Sequence, residues 1–330
     1  MFYSIIVIGD LFMHKKLVIF GGGTGLSALL SGLKDFPVDI TAVITTSDNG
    51  RSTGKLREEF NMPAVGDIRK VITNLSDTNP DILKTLEYRF NTTSDLNGHA
   101  VGNLILTALY DITGSLKESI KHLSTLLDVR HTVLPISEDS NLTLMAETTN
   151  GKIVRGEEEI TKCSLKIKRI FYENEPNVTK EVLESINDAD LIIFSMGSLY
   201  TSLLPNIICK DVVQALSKVD TKIMYICNAM TQPGETDNFK VSDHIKIINS
   251  YLLKRKVDVV VVSNTKIDEK TILKYSREEE KDPVLIDYDG IKELGVEMIE
   301  KDLMIIENNM LRHDSIHLAT AIMSYLMDVN

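Results

Sequence analysis

The apolar run Leu17-Val18-Ile19-Phe20 stops at Gly21-Gly22-Gly23-Thr24-Gly25, and a helical pattern follows to about Lys34. Four apolar residues with no polar alternate suit a strand buried on both faces, as in a parallel sheet covered by helices. The glycines let the backbone turn sharply and approach a ligand closely. The helix behind them presents unpaired N–H groups and a positive dipole end, so an anion is the natural occupant. A bare β-to-α turn is the simpler alternative, but it rarely needs four glycines in five positions.

The same type of run recurs at residues 40–44, 191–194, 223–226 and 257–262, each followed by a polar loop. Alternating strand, loop and helix predicts a mainly parallel sheet with helices on both faces, these five strands being neighbours in one layer. The reading is a single Rossmann-like α/β domain over residues 15–330. It carries a helical excursion at about 66–127, after the second strand, and a small β-rich insertion at about 131–172. In the insertion, residues 132–135, 142–148, 152–154 and 165–172 are strand-like, and Asn150-Gly151 is a strong hairpin signal. Residues 1–14 read as an appendage outside the fold, the alternative being an added edge strand at 5–8.

Charge narrows the function. Lys and Arg number 36 against 47 Asp and Glu, a net charge of −11. The only basic clusters are short, Lys15-Lys16 and Lys254-Arg255-Lys256. Binding along a nucleic-acid backbone or an anionic membrane surface needs more than this. No stretch reaches the roughly 18 apolar residues of a membrane helix. Three cysteines, Cys163, Cys209 and Cys227, form no CxxC pair. A reducing, cytoplasmic setting is therefore expected.

Four loops at predicted strand ends hold the candidate ligand-binding residues. The first is Gly21, Gly22, Gly23, Thr24 and Gly25. It departs from the dinucleotide fingerprint at Leu26 and lacks the lysine of a Walker loop. The second holds Asp48 and Asn49; Asp48 could serve a ribose hydroxyl, a metal or a proton, although Asp-Asn-Gly is also ordinary turn chemistry. The third offers Gly197, Ser198, Tyr200 and Thr201, and the fourth Asn228, Thr231 and Gln232. Asn103 follows the glycine-rich Gly98-His99-Ala100-Val101-Gly102. Asp67, in Gly66-Asp67-Ile68-Arg69, reads equally well as a helix cap. Loop one, Asp48, Asn103, residues 197–201 and Asn228 are expected to line one cleft. No zinc spacing, nucleophile elbow or hydrolase triad is present in the sequence.

Together these segments resemble one family. FGGGTGLSAL (20–29), SDNGRSTGKLR (47–57), GDIR (66–69), GHAVGN (98–103), GSLYTS (197–202), CNAMTQPGETD (227–237) and LRHD (311–314) occur in order over about residues 15–328. The chain is similar to the bacterial gluconeogenesis factor, or YvcK-like, family. That family is homologous to CofD, the 2-phospho-L-lactate transferase of coenzyme F420 synthesis. Two departures are Gly50-Arg51, where Gly-Gly is usual, and Ser195-Met196-Gly197, where Gly-Pro usually precedes the third loop.

The resemblance implies a Rossmann-like cytoplasmic protein tied to carbon metabolism, cell shape and cell-wall precursors. It implies a UDP-sugar ligand, notably UDP-N-acetylglucosamine, and leaves a homodimer open. A diphosphate bound by an acidic chain needs a cation beyond the glycine loop. Arg312 is the candidate, with Tyr275 for the base, and the resemblance places both among the family's UDP-sugar contacts. The alternative to this regulator is a CofD-like transferase using Mg²⁺, with Asp48 as the catalytic or metal-linked carboxylate. One carboxylate is thin for that chemistry, although magnesium keeps most of its waters.

Overall fold

The computed structural model describes residues 15–307 and 310–328. The expected appendage at 1–14, including its alternative strand at 5–8, lies outside the described residues. The chain forms β1 (Lys16–Gly21), β2 (Asp39–Ile44) and β3 (Thr132–Pro135), then β4 (Leu144–Thr148), β5 (Ile153–Arg155) and β6 (Ile167–Tyr172). It continues through β7 (Leu191–Phe194), β8 (Ile223–Ile226), β9 (Val259–Ser263) and β10 (Glu297–Lys301), and ends with β11 (Met304–Glu307), β12 (Met310–His313) and a helix, Ser315–Asp328.

Seven strands form one sheet in the order β10-β9-β8-β7-β1-β2-β3, every pairing parallel. All five expected strands are neighbours in it. Alternate residues of each strand feed opposite faces. Leu17, Ile19, Ile193 and Val261 pack on one side, beneath the helices Gly23–Leu33, Gly66–Leu75 and Ser315–Asp328. Val18, Phe20, Ile192 and Val260 pack on the other, with helices Lys180–Asp188 and Val241–Tyr251 and the small antiparallel sheet β5-β4-β6. Continuous apolar strands are what such a three-layer sandwich requires.

The chain runs outward from β1 through β2 to β3, then crosses back to β7 and runs outward on the other side. The order therefore reverses between β1 and β7, and ligands of open α/β sheets sit at the carboxyl ends of strands at such a point. Helices Gly66–Leu75, Pro80–Glu87, Val101–Thr113 and Leu116–Leu126 fill the excursion after β2.

Two elements differ from the sequence reading. Thr132–Pro135, read as part of the β-rich insertion, pairs in parallel with β2 and is the edge of the main sheet. Its short apolar run of Val133 and Leu134 carries no mark of which sheet it joins. At the other edge β10 extends the sheet beyond β9. Glu297, Glu300 and Lys301 interrupt its apolar pattern, because an edge strand is only half covered.

Helix Gly23–Leu33 fits beneath the C-terminal helix only because residue 32 is glycine: a Cβ there would fall on the Ser315 carbonyl. Gly32→Ala should cost about 1–3 kcal/mol by overpacking. Denaturant titration checks this, and an unchanged midpoint would show that the helices separate freely.

Candidate functional site

Helix Gly23–Leu33 starts directly off β1, with Gly22 extended at its N-cap and no side-chain cap. Its first N–H groups are therefore left for an incoming acceptor. Gly23 has φ +63, a conformation that favours glycine. A Cβ on Gly25 would fall on the Met196 carbonyl, so loops one and three touch backbone to backbone. Thr24 is exposed at the turn, while Gly21 and Gly22 are buried.

The single cleft expected from the sequence is not formed: seven of the expected residues line one hollow, Asp48 lines a second and Asn49 a third. The first, about 310 Å³, is lined by Gly25, Gly197, Asn228, Thr231, Gln232, Tyr275 and Arg312 among others. The second, about 340 Å³, contains Asp48, with Ser52, Lys70, Arg89, Glu157 and Lys162. Asn103 lines neither the first nor the second, and the same holds for Gly21, Gly22, Gly23, Thr24, Ser198, Tyr200 and Thr201. Asn103 is 1% exposed, and its Oδ1 has no hydrogen-bond partner.

In the first hollow much of the expected polar equipment is engaged in building the loops. Asn228 clasps Gly197, accepting from its N–H at 2.8 Å and donating to its carbonyl at 2.7 Å. The Ser198 hydroxyl donates to Glu235 Oε2 at 2.6 Å, and the Thr201 N–H donates to Ser198 Oγ. Tyr200 is a core residue, 1% exposed. Ser198, Tyr200 and Thr201 thus shape a π-turn, Leu199–Leu203, rather than point at the cleft. Thr231 pairs with Asp282 through both its N–H and its hydroxyl. By contrast, Gln232 Oε1 is buried without a partner.

Arg312 enters from β12, part of a two-stranded antiparallel hairpin with β11 separate from the main sheet. Among the described residues its guanidinium hydrogen-bonds only to the Met310 sulfur, at 3.8 Å. Among the described residues no carboxylate pairs with it, and Asp314 is engaged with His317. Tyr275 forms part of the cleft wall, and its hydroxyl accepts from the Leu311 N–H at 2.6 Å. The tyrosine therefore anchors the hairpin that carries Arg312, a tie that the sequence did not disclose. His313, also in the wall, is held down to about 4 by burial and is neutral at pH 7.

The second hollow is assembled by close backbone approaches. Asp48 Oδ1 accepts from the Gly50 N–H at 2.8 Å, and a Cβ on Gly66 would lie 3.1 Å from Asp48 Oδ2. This approach brings Asp67, the second residue of helix Gly66–Leu75, over the glycine turn: Asp67 Oδ2 is 2.7 Å from where a Gly22 Cβ would stand. Lys70 pairs with Asp67 at 2.9 Å. Asn49, expected to touch ligand, instead accepts from the Glu158 N–H at 3.0 Å and packs on Gly156, whose φ is +93. It docks the β-rich insertion, and with it Glu157, beside Asp48. Asp67, Glu157 and Glu235 were not among the expected ligand contacts. Asp67 looked like a cap, and Glu157 shows only as the start of an acidic run after a glycine.

Burial raises the Asp48 carboxyl, and the nearby Asp67 charge adds to it. Glu157 is pushed up to about 7 by burial first and then by Asp48, with smaller effects of Asp67 and Glu235. Glu235 is raised by burial, against the Ser198 hydrogen bond. Among the described residues no group of three or more His, Cys, Asp or Glu converges as a metal-ligand set.

A carboxyl that titrates higher in the folded chain than in the unfolded one loses stability as pH rises. For Glu157 the loss begins near the unfolded value of 4.5 and is complete above about 7. Glu157→Gln should therefore be more stable than wild type at pH 8 by about 2 kcal/mol, with the gap closing by pH 4. Urea titrations at both pH values measure it; an equal gap at each would mean that Glu157 titrates normally.

Residues 17–304 match the family model described as 2-phospho-L-lactate transferase CofD. A gluconeogenesis factor of Bacillus subtilis is 40% identical over 314 residues, covering 95% of this chain and 98% of the relative. Another, from Halalkalibacterium halodurans, is 41% identical over 94% of this chain and 96% of the relative. A crystal structure of a Bacillus halodurans protein superposes with a TM-score of 0.91 at 40% identity, covering 94% of this chain and 99% of that one. The motif order, the reversal of the sheet between β1 and β7, and these full-length similarities agree: the chain belongs to the gluconeogenesis factor family, homologous to the CofD transferases.

Proposed function

We propose that this chain is a cytoplasmic regulator that binds a UDP-sugar, of the UDP-N-acetylglucosamine type, and links carbon metabolism to cell shape and wall-precursor supply. The observation that carries the reading is the Arg312 guanidinium, which has no carboxylate partner among the described residues and shares a cleft with Gly25 of the uncapped glycine turn. Helix N–H groups and a planar guanidinium are complementary to a diphosphate. Tyr275, though largely buried, borders the cleft where the base would lie, and the unpartnered Gln232 Oε1 is an acceptor for a base N–H. The family's gluconeogenesis factor members supply the physiological setting.

The second reading is a CofD-like transfer of a phospholactyl-type group from a nucleotide diphosphate with Mg²⁺. Asp67, which stands against Gly22 of the glycine turn, and Asp48, beside Gly66 at the start of the same helix, favour it: these two carboxylates would hold a hydrated magnesium, which would supply positive charge to the phosphates. On that reading Asp48→Asn abolishes turnover while nucleotide still binds. Incubation with GDP-linked phospholactate and Mg²⁺, followed by product analysis, tests it, and wild-type turnover in the variant would clear Asp48.

For the regulator, Arg312→Ala should weaken UDP-sugar binding by about 2–4 kcal/mol, the scale for losing a charge-assisted contact to a bound anion. Tyr275→Ala should cost about 1–2 kcal/mol, as for one base-stacking aromatic. Calorimetry on both variants, with circular dichroism to check folding, measures these losses. Wild-type affinity in the Arg312 variant would place the diphosphate elsewhere.

A further inference from the structure

The hollow beside Asp48 is separate from the cleft that holds Arg312, and the glycine turn lies between them. Gly25 faces the Arg312 cleft. Gly22 faces Asp67, whose neighbours Gly66 and Lys70 line the Asp48 hollow. A diphosphate on the turn would therefore have one end in each space. At about 340 Å³ the hollow is within the ~300–1,000 Å³ range of small-molecule sites.

Its charges are unevenly used. Lys70 is paired with Asp67, and Lys162 with Glu158 and Glu159. Arg89 is exposed at the rim and donates to the Gly98 carbonyl. Among the described residues neither Asp48 nor Glu157 has an ion-pair partner. Asp48 accepts from the Gly50 N–H, and Glu157 only from the Thr161 hydroxyl at 3.3 Å. Two half-buried carboxylates without ion-pair partners need hydrogen-bond donors, and they repel a further negative charge. Ser52, whose hydroxyl is 2.9 Å from His99 Nδ1, adds a neutral polar wall.

Building on the nucleotide reading above, we propose that the Asp48–Glu157 hollow receives the group attached to the diphosphate and selects a neutral, hydroxyl-rich glycosyl group over one bearing a carboxylate. Sugar hydroxyls donate to the two carboxylates. A carboxylate-bearing group, phospholactyl or uronate, meets Asp48 and Glu157 together. The β-rich insertion thereby acquires a task, because Asn49 and Gly156 hold Glu157 in the wall. Burial raises both acids, with Asp67 adding at Asp48 and Asp48 adding at Glu157, against the Gly50 and Thr53 hydrogen bonds and the Lys70 charge at Asp48.

Calorimetry at pH 8 with UDP, UDP-N-acetylglucosamine and UDP-glucuronate tests the inference. Wild type should bind UDP-N-acetylglucosamine at least tenfold more tightly than UDP-glucuronate. Glu157→Gln, and independently Asp48→Asn, should shrink that ratio at least fivefold by admitting the uronate. UDP binding with equal affinity for both sugars, or a ratio unmoved in both folded variants, would overturn the selective hollow and leave the nucleotide reading standing. Failure of wild type to bind UDP or either UDP-sugar would overturn both.

Discussion

The contact between the turn after β1 and the loop after β7 is the constraint on which the rest of the molecule depends. These strands are neighbours at the point where strand order reverses, so their loops must diverge to opposite sides while starting side by side. Gly25 removes the Cβ that would strike Met196, and Asn228 fixes Gly197 from the next strand. The result is a helix start open to solvent with its N–H groups free of side-chain caps. A parallel sheet provides such a place once, at its switch point, and the first, third and fourth candidate loops meet at it.

Much of this was legible in the residues. The five central strands are buried on both faces, so each reads as an uninterrupted apolar run, and all five lie side by side. The glycine turn was legible because close backbone approach leaves no room for another residue. Less legible were β3 and β10, edge strands whose pairing partner or half-covered surface leaves no distinctive pattern. The return strand of the β11–β12 hairpin carries no apolar run, because it contains Arg312 and His313, polar residues that line a cleft.

Within the site, sequence identified loops better than it assigned side chains. Ser198, Thr201, Asn49 and Asn228 are polar residues at strand ends, but their hydrogen bonds are consumed within the protein: Ser198 and Thr201 bond each other and Ser198 bonds Glu235, while Asn49 and Asn228 hold backbone. A donor in a loop and a donor aimed at a ligand have the same spelling. Glu157 was overlooked, and Asp67 stayed undecided between cap and site, for the converse reason: a carboxylate in the first turn of a helix is satisfied by the local dipole, and nothing in its neighbours reveals what lies across the gap. Only the docking of the excursion and the insertion against the sheet brings these acids to the glycine turn.

The central claim is that the glycine turn and Arg312 together hold a diphosphate. A crystal structure of the protein with UDP-N-acetylglucosamine tests it most directly. The account predicts phosphate oxygens within hydrogen-bond distance of the N–H groups of residues 22–25 and of the Arg312 guanidinium, with the sugar toward Asp48. A ligand bound with no phosphate contact to the glycine turn, and Arg312 still turned to solvent, would contradict it.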